Sequence, residues 1–319
     1  MRVAVLDDYQ AAFGQLEAAR RLAEAGHEVV TFADSVSGPA LAGRLSGFDA
    51  VVLLQQRTAL PREVVDHLDT VRLVSQTGRN TGHLDLAALA ERGITVSAGG
   101  AGSASTTAEL TWGLILASLR HLPAEVARLR AGQWQGSVGT SVAGKTLGIY
   151  GLGRIGSQVA VVGSAFGMRV LCWGRTGSQE RAREAGFEVA GSREEFFSSA
   201  DVLSLHLPLN DDTRGIVTAA DLALMKPGAL LVNTSRAGLM EPGVLAAAVS
   251  AGRPGRAAVD VFEDEPVLDA SDPLLALPAV TATPHLGYVE WDVLDSLYTA
   301  AVDQVLAFAA GEPINLVTP

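Results

Sequence analysis

The stretch that most constrains this chain runs from Thr146 to Thr176, TLGIYGLGRIGSQVAVVGSAFGMRVLCWGRT. Its first five residues, Thr146 to Tyr150, form an apolar run that reads as a buried parallel strand. GLGRIG follows at once, with Gly151, Gly153 and Gly156 spaced G-x-G-x-x-G. Arg154 to Phe166 has a helical pattern, and Arg169 to Trp173 reads as a second strand. Strand, glycine turn, helix and strand within about 30 residues is the context in which this spacing holds a dinucleotide. Gly151 permits the tight turn, Gly153 lets backbone approach a pyrophosphate, and Gly156 lets helix and strand pack closely. Arg154 and Ile155 open the helix, whose free N–H groups and partial positive charge favour phosphates. Glycine turns also join strands to helices without any ligand, so the flanking elements carry the reading.

A chain of 319 residues exceeds one typical core and suggests two domains. With 48% hydrophobic residues it can bury a sizeable core, and a net charge of −11 argues against a nucleic-acid surface. Cys172 is the only cysteine, so neither an internal disulfide nor a cysteine zinc site can form, and no metal is expected. The start, MRVAVLDD, reads as a strand and lacks the pattern of a signal peptide. No apolar run is long enough to span a bilayer. The expectation is a cytoplasmic protein that binds neither nucleic acid nor membrane.

Up to Val96, strand candidates 3–7, 28–32, 50–54, 72–76 and 94–96 alternate with helical segments 15–26, 40–47, 62–68 and 85–93. Continuous apolar strands alternating with helices imply a parallel sheet covered on both faces. SAGGAGSASTTAEL (97–110) reads as a hinge bordering a cleft, with Thr106 or Thr107 capping a helix that runs to Arg120. A second helix follows Pro123. After the fingerprint, the alternation resumes with strands 201–208, 229–235, 257–262 and 279–285. Residues 288–311 read as one long helix whose docking the sequence leaves open, with Tyr288 and Trp291 placed either to line the pocket or, the favoured reading, to brace that helix.

Ligands of open parallel sheets sit beyond the carboxyl ends of the strands. There the sequence places His206 and Pro208, then Thr234, Ser235 and Arg236, then Asp260 and Glu265, then His285. Arginine can hold a carboxylate through two parallel hydrogen bonds and polarise a carbonyl. Histidine can move a proton while an adjacent carboxylate orients it. Each also has a structural reading: Arg236 as a helix cap or partner of Glu241, His285 as a core histidine, Glu265 as one of an exposed acidic run.

The segments 144–156, 201–217, 225–238, 257–266 and 283–287, in this order and spacing, resemble the D-isomer-specific 2-hydroxyacid dehydrogenase family. Residues 76–96 and 106–117 match it more loosely. The resemblance implies an α/β chain of two Rossmann-like or flavodoxin-like domains with parallel sheets. Residues 1–102 and 287–319 would form the substrate domain and 103–286 the cofactor domain, with the active site in the cleft between them. It implies hydride transfer between a nicotinamide cofactor and a small 2-hydroxy or 2-keto acid. Arg236 would hold the substrate carboxylate, His285 would be the acid/base, Glu265 would pair with it, and Asp260 would face the nicotinamide. Trp173, His206, Leu207, Pro208, Thr213, Thr234, Ser235 and Gly287 would line the cofactor channel. Arg57, Gly78 and Arg79 are weaker substrate contacts, because the loop departs from the family's Gly-Val-Asp pattern. A homodimer through residues 106–132 is the family's usual assembly. Corepressors on this fold form the alternative: a cofactor-sensing protein without turnover.

Ala237, Glu241, Pro254 and Arg256 depart from the family's commoner residues without touching Arg236 or Asp260. Glu265 argues against the formate-specific branch, which pairs its histidine with glutamine. The departure with functional content follows the second fingerprint strand. NAD-preferring members place an acid there for the ribose 2′-OH, whereas this chain has Gly174, Arg175 and Thr176. No carboxylate would repel a 2′-phosphate and an arginine could bind one, so the pattern points to NADP over NAD.

Overall fold

The computed structural model describes residues 1–100 and 102–318; Ala101, inside the expected hinge, lies outside the described residues. The chain divides into two compact units, Met1–Ser103 with Tyr288–Pro319, and Ala104–Gly287.

The first unit runs β1 (Arg2–Val5), α1 (Glu17–Glu24), β2 (Glu28–Thr31), α2 (Gly38–Leu45), β3 (Ala50–Leu53), α3 (Arg62–Val65), β4 (Leu73–Thr77), α4 (Leu86–Glu91) and β5 (Thr95–Gly99). Its sheet has the order β2-β1-β3-β4-β5, and the pairs are parallel. Side chains alternate between faces, as the pleat requires. Val51 and Leu53 join Leu41, Leu45, Val64 and Leu89 on one side, while Val3, Val5, Ala50 and Val52 lie on the other.

The second unit opens with α5 (Ala104–Leu119) and α6 (Leu122–Arg130). It continues through β6 (Thr146–Tyr150), α7 (Arg154–Ala165), β7 (Arg169–Trp173), α8 (Thr176–Glu184), β8 (Glu188–Val189), α9 (Arg193–Ser199) and β9 (Val202–Leu205). It closes with α10 (Ala219–Leu224), β10 (Leu230–Asn233), α11 (Val244–Ser250), β11 (Arg256–Val259) and β12 (Val280–Ala282). The sheet order is β12-β11-β10-β9-β6-β7-β8, all parallel. Chain order reverses direction between β6 and β9, so the crevice for a ligand lies at the carboxyl end of β6. Leu147, Ile149, Val170 and Val232 pack with Trp112, Ile115 and Val159 on one face; Leu171, Leu203, Leu231 and Val259 pack with Phe196, Phe197 and Leu222 on the other.

The terminal helix α12 (Trp291–Ala309) belongs to the first unit. Val293, Leu297, Tyr298, Ala301 and Val305 are buried at helical spacing against Val3, Val5 and Val52. Truncating one of these, Leu297→Ala, costs about 2–5 kcal/mol by the usual cavity penalty. Glu290 caps the helix, accepting from the Asp292 and Val293 amides at 3.1 and 3.2 Å. Tyr288 packs against this core, whereas Trp291, the first residue of the helix, is 55% exposed.

One local expectation fails. Thr106 and Thr107 cap no helix, because α5 already begins at Ala104. Thr107 Oγ1 instead donates to Gly287 O at 2.9 Å, a partner 180 residues away that local pattern cannot reveal. Strand β12 is also shorter than its expected span, as Thr283–Gly287 is drawn into a hydrogen-bonded loop around Asp260. Among the described residues no helix is long and apolar enough to cross a membrane.

Candidate active site

The candidate residues of the second unit gather at the carboxyl ends of its strands. At the end of β10, Asn233 is buried and its side chain holds the next turn from both sides. Nδ2 donates to Arg236 O at 2.9 Å, and Oδ1 accepts from Ser235 N at 3.0 Å. Ser235 Oγ donates to Leu205 O at 3.0 Å, and Thr234 Oγ1 lies 2.8 Å from Thr111 Oγ1. This turn delivers Arg236, whose Nη1 donates to Ser235 O at 2.7 Å.

Asp260, just past β11, is fully buried. Oδ1 accepts from Thr283 Oγ1 at 2.6 Å and Leu286 N at 2.7 Å, and Oδ2 accepts from Gly287 N at 2.8 Å. Burial pushes its carboxyl above the ordinary range despite these bonds. Both oxygens are therefore committed to the loop that carries His285. That loop closes tightly, His285 N donating to Thr283 O at 3.0 Å, and it holds His285 at φ +52°. A left-handed backbone at a non-glycine residue costs of order 1–3 kcal/mol and persists only when its surroundings enforce it. Here Asp260 enforces it.

His285 Nδ1 lies 2.6 Å from Glu265 Oε2, and the other carboxylate oxygen accepts from Phe262 N at 2.9 Å. Burial opposes the charge on Glu265. The His285 hydrogen bond and charge, the Phe262 amide and the Arg236 charge outweigh it, so the carboxyl is held below its usual range. Arg236, Glu265 and His285 thus form one electrostatic cluster, with an ionised carboxylate orienting an imidazole. His285 retains 28% side-chain exposure, which excludes the core-histidine reading.

The glycine turn fits a dinucleotide. A Cβ on Gly156 would sit 2.4 Å from Gly151 O, and one on Gly151 would sit 2.8 Å from His206 O, so both positions demand glycine. A Cβ on Gly153 would meet nothing within 4 Å, which leaves room for a ligand at the helix start. Gly153 caps α7 without a side chain. Ser157 N is the first helical amide to turn back, onto Gly153 O at 2.9 Å. The amides of Arg154, Ile155 and Gly156 precede it and have no intrahelical acceptor, which suits a phosphate.

Beside this turn lie Trp173 at the end of β7, then Gly174, Arg175 and Thr176, and His206, Leu207, Pro208 and Thr213 after β9. Arg175 is the residue before α8. His206 is buried; Nε2 lies 2.9 Å from Ser204 Oγ, and Nδ1 has no partner among the described residues. Burial lowers the His206 pKa to about 4.

Arg57, Gly78 and Arg79 belong to the first unit. Arg57 follows β3, donating Nε to Tyr288 Oη at 2.6 Å and Nη1 to Asp7 O at 2.5 Å. Its guanidinium lies 4.9 Å from the Tyr9 ring centre and 5.3 Å from that of Tyr288. Gly78, at φ +81°, follows β4 and Arg79 is exposed.

Sequence reasoning missed Asn233, Thr283 and Thr107 as supports of the site. They are common strand and helix residues, and only their long-range bonds mark them.

Residues 112–287 match the family model described as "D-isomer specific 2-hydroxyacid dehydrogenase, NAD binding domain". The chain is 35% identical to the D-3-phosphoglycerate dehydrogenase of Methanocaldococcus jannaschii over 264 residues, covering 82% of this chain and 50% of that protein. It is 36% identical to the glyoxylate reductase of Aeropyrum pernix, covering 80% of this chain and 78% of that one. The crystal structure of phosphoglycerate oxidoreductase from Vibrio cholerae O395 superposes with a TM-score of 0.93 at 47% identity, covering 98% of this chain and 99% of that one. The chain spans about half the length of some of the curated relatives it matches. With more than half of its length matched by this family model and relatives of this identity and coverage, the chain belongs to the D-isomer-specific 2-hydroxyacid dehydrogenase family.

Proposed function

We propose that this chain is a nicotinamide-dependent oxidoreductase that interconverts a small 2-keto acid and its D-2-hydroxy acid. The observation that carries the reading is the His285–Glu265 pair at 2.6 Å within reach of the Arg236 charge. Gly151, Gly153, Gly156 and the free amides at the start of α7 would hold a nicotinamide dinucleotide, which would supply hydride chemistry in either direction. Arg236 holds the substrate carboxylate and polarises the keto oxygen by charge-assisted hydrogen bonds. His285 gives its Nε2 proton to that oxygen as it gains charge. Glu265 fixes the tautomer through Nδ1 and stabilises the imidazolium before transfer. Asp260 holds the loop so that the imidazole stays aligned. Arg57, Gly78 and Arg79 remain candidates for substrate contact.

His285→Ala tests the reading. Glyoxylate or hydroxypyruvate reduction should fall about 10²–10⁴-fold, the usual worth of a positioned acid/base; an unchanged rate rejects the assignment. Arg236→Ala should raise KM for the keto acid and lower kcat together.

NADP is the favoured cofactor. The support is Gly174–Arg175–Thr176 where an acid for the ribose 2′-OH would stand. A homodimer through α6 is the favoured assembly. No residue of α6 is buried, and Leu122, Val126, Leu129, Trp134 and Val138 are exposed along it and the following segment. A monomeric mass by light scattering would reject this assembly.

A further inference from the structure

An ion pair spans the mouth of β6. Arg175 leaves the end of β7 and Asp212 lies in the turn after β9, the two strands that flank β6 in the sheet. Arg175 Nη2 meets Asp212 Oδ2 at 2.8 Å. The glycine turn lies between their two loops. The Cβ position of Gly151 is 2.8 Å from Leu207 on one side, and the Cβ position of Gly174 is 3.8 Å from Gly151 Cα on the other.

Both anchors are built. The turn carrying Asp212 is held by Thr213, whose Oγ1 donates to Pro208 O at 2.6 Å and accepts from Asn210 N at 2.9 Å. The Asp212 amide donates to Asn210 Oδ1 at 3.1 Å. On the other side Gln179 Nε2 donates to Gly174 O at 3.0 Å, and Arg175 O accepts the Ser178 amide at 2.8 Å. The two side chains themselves are exposed, at 72% and 73%. An ion pair so exposed is weak, so a phosphate that engages arginine bidentately can displace the carboxylate.

We propose that Asp212 sets the cofactor preference by competing with a ribose 2′-phosphate for Arg175. The inference rests on the reading that Arg175 is the 2′-phosphate contact. Binding of NADPH must break the Arg175–Asp212 pair and leaves a carboxylate facing a phosphate within one Debye length, about 8 Å at physiological salt. Binding of NADH meets neither cost. Asp212 thus restrains a site that Arg175 alone would commit to NADP, and the chain accepts both cofactors with a ratio set by this pair.

The test is calorimetric binding of NADPH and NADH to wild type, Asp212→Asn, Arg175→Ala and the double variant. Asp212→Asn should raise the NADPH:NADH affinity ratio about fivefold at low salt, shrinking toward unity near 0.5 M salt as screening removes the repulsion. Arg175→Ala should loosen NADPH about tenfold, the loss of a charge-assisted phosphate contact. In that background Asp212→Asn should change the ratio less than it does in the wild type, because the ion pair is gone and only the direct carboxylate–phosphate repulsion remains; an equal change would overturn the competition for Arg175. If Arg175→Ala loosens NADPH but Asp212→Asn leaves or lowers the ratio, the competition is overturned and the arginine contact stands. If Arg175→Ala leaves NADPH binding unchanged, the contact and the competition fall together.

Discussion

The two units solve the same geometric problem in opposite ways. Each is an open parallel sheet whose chain order reverses beside its first strand, β1 in one and β6 in the other. After β6 the chain leaves room beside Gly153 and presents unsatisfied helix amides. After β1 the chain supplies its own anion. Asp8 is buried, and its carboxylate accepts from Ala12 N at 2.9 Å and Phe13 N at 3.2 Å. A carboxylate on the chain occupies the role that a phosphate would take in the other unit. Topology therefore offers an anion site twice, and one side chain decides whether a ligand is needed to fill it.

The units also each hold a burial-neutralised histidine, His206 and His83, with pKa lowered to about 4 in both. Their folded values lie below the ordinary 6.5, so the unfolded chain binds more protons between those limits. The stability they contribute is complete above pH 6.5 and is lost as pH falls toward 4. For buried His206 the loss is roughly 3 kcal/mol. Urea unfolding at pH 7 and pH 4.5 should show this, and His206→Gln should flatten the slope. An unchanged slope would mean His206 does not distinguish its unit. His83, lowered to the same value, should give a dependence of similar size.

The next largest effect concerns the internal anion. Asp8→Ala removes the acceptor of two buried amides and should lower stability by about 2 kcal/mol in urea unfolding. NADH affinity of the folded protein should stay unchanged. Loss of cofactor affinity in that variant would break the contrast between an internal and an external anion.

The smallest effect sharpens it from the other side. Gly153→Ala places a methyl in open space, so the fold should tolerate it. Because that space is where a pyrophosphate would approach, NADH affinity should drop about tenfold. A variant that binds as well as wild type would mean the phosphates lie elsewhere.

Much of the second unit was legible beforehand. Strands 146–150 and 169–173 match β6 and β7 residue for residue, and α7 ends one residue before its expected end. These elements follow from local rules: apolar continuity in a strand covered on both faces, glycine where φ is positive, and free amides where a helix starts. Arg236, Glu265 and His285 were found from motif order, and the structure brings them into one cluster. What sequence missed is nonlocal. Asn233 looks like an ordinary residue at a strand end, and Asp260, expected to face the nicotinamide, has both oxygens bonded to Thr283, Leu286 and Gly287; their side chains hold the two loops on which the cluster depends. Thr107 read as a cap because nothing nearby announced Gly287.

The sequence alone determined the alternation of strands and helices, the glycine turn and the identity of the chemical groups, since each depends on neighbours within a few residues. Tertiary structure decided where the terminal helix docks, which oxygen orients which nitrogen, and that Arg175 meets an aspartate 37 residues away. Those outcomes come from side chains brought together by sheet order, and hydrogen bonds and charges act over ångströms in space, whatever the distance along the chain.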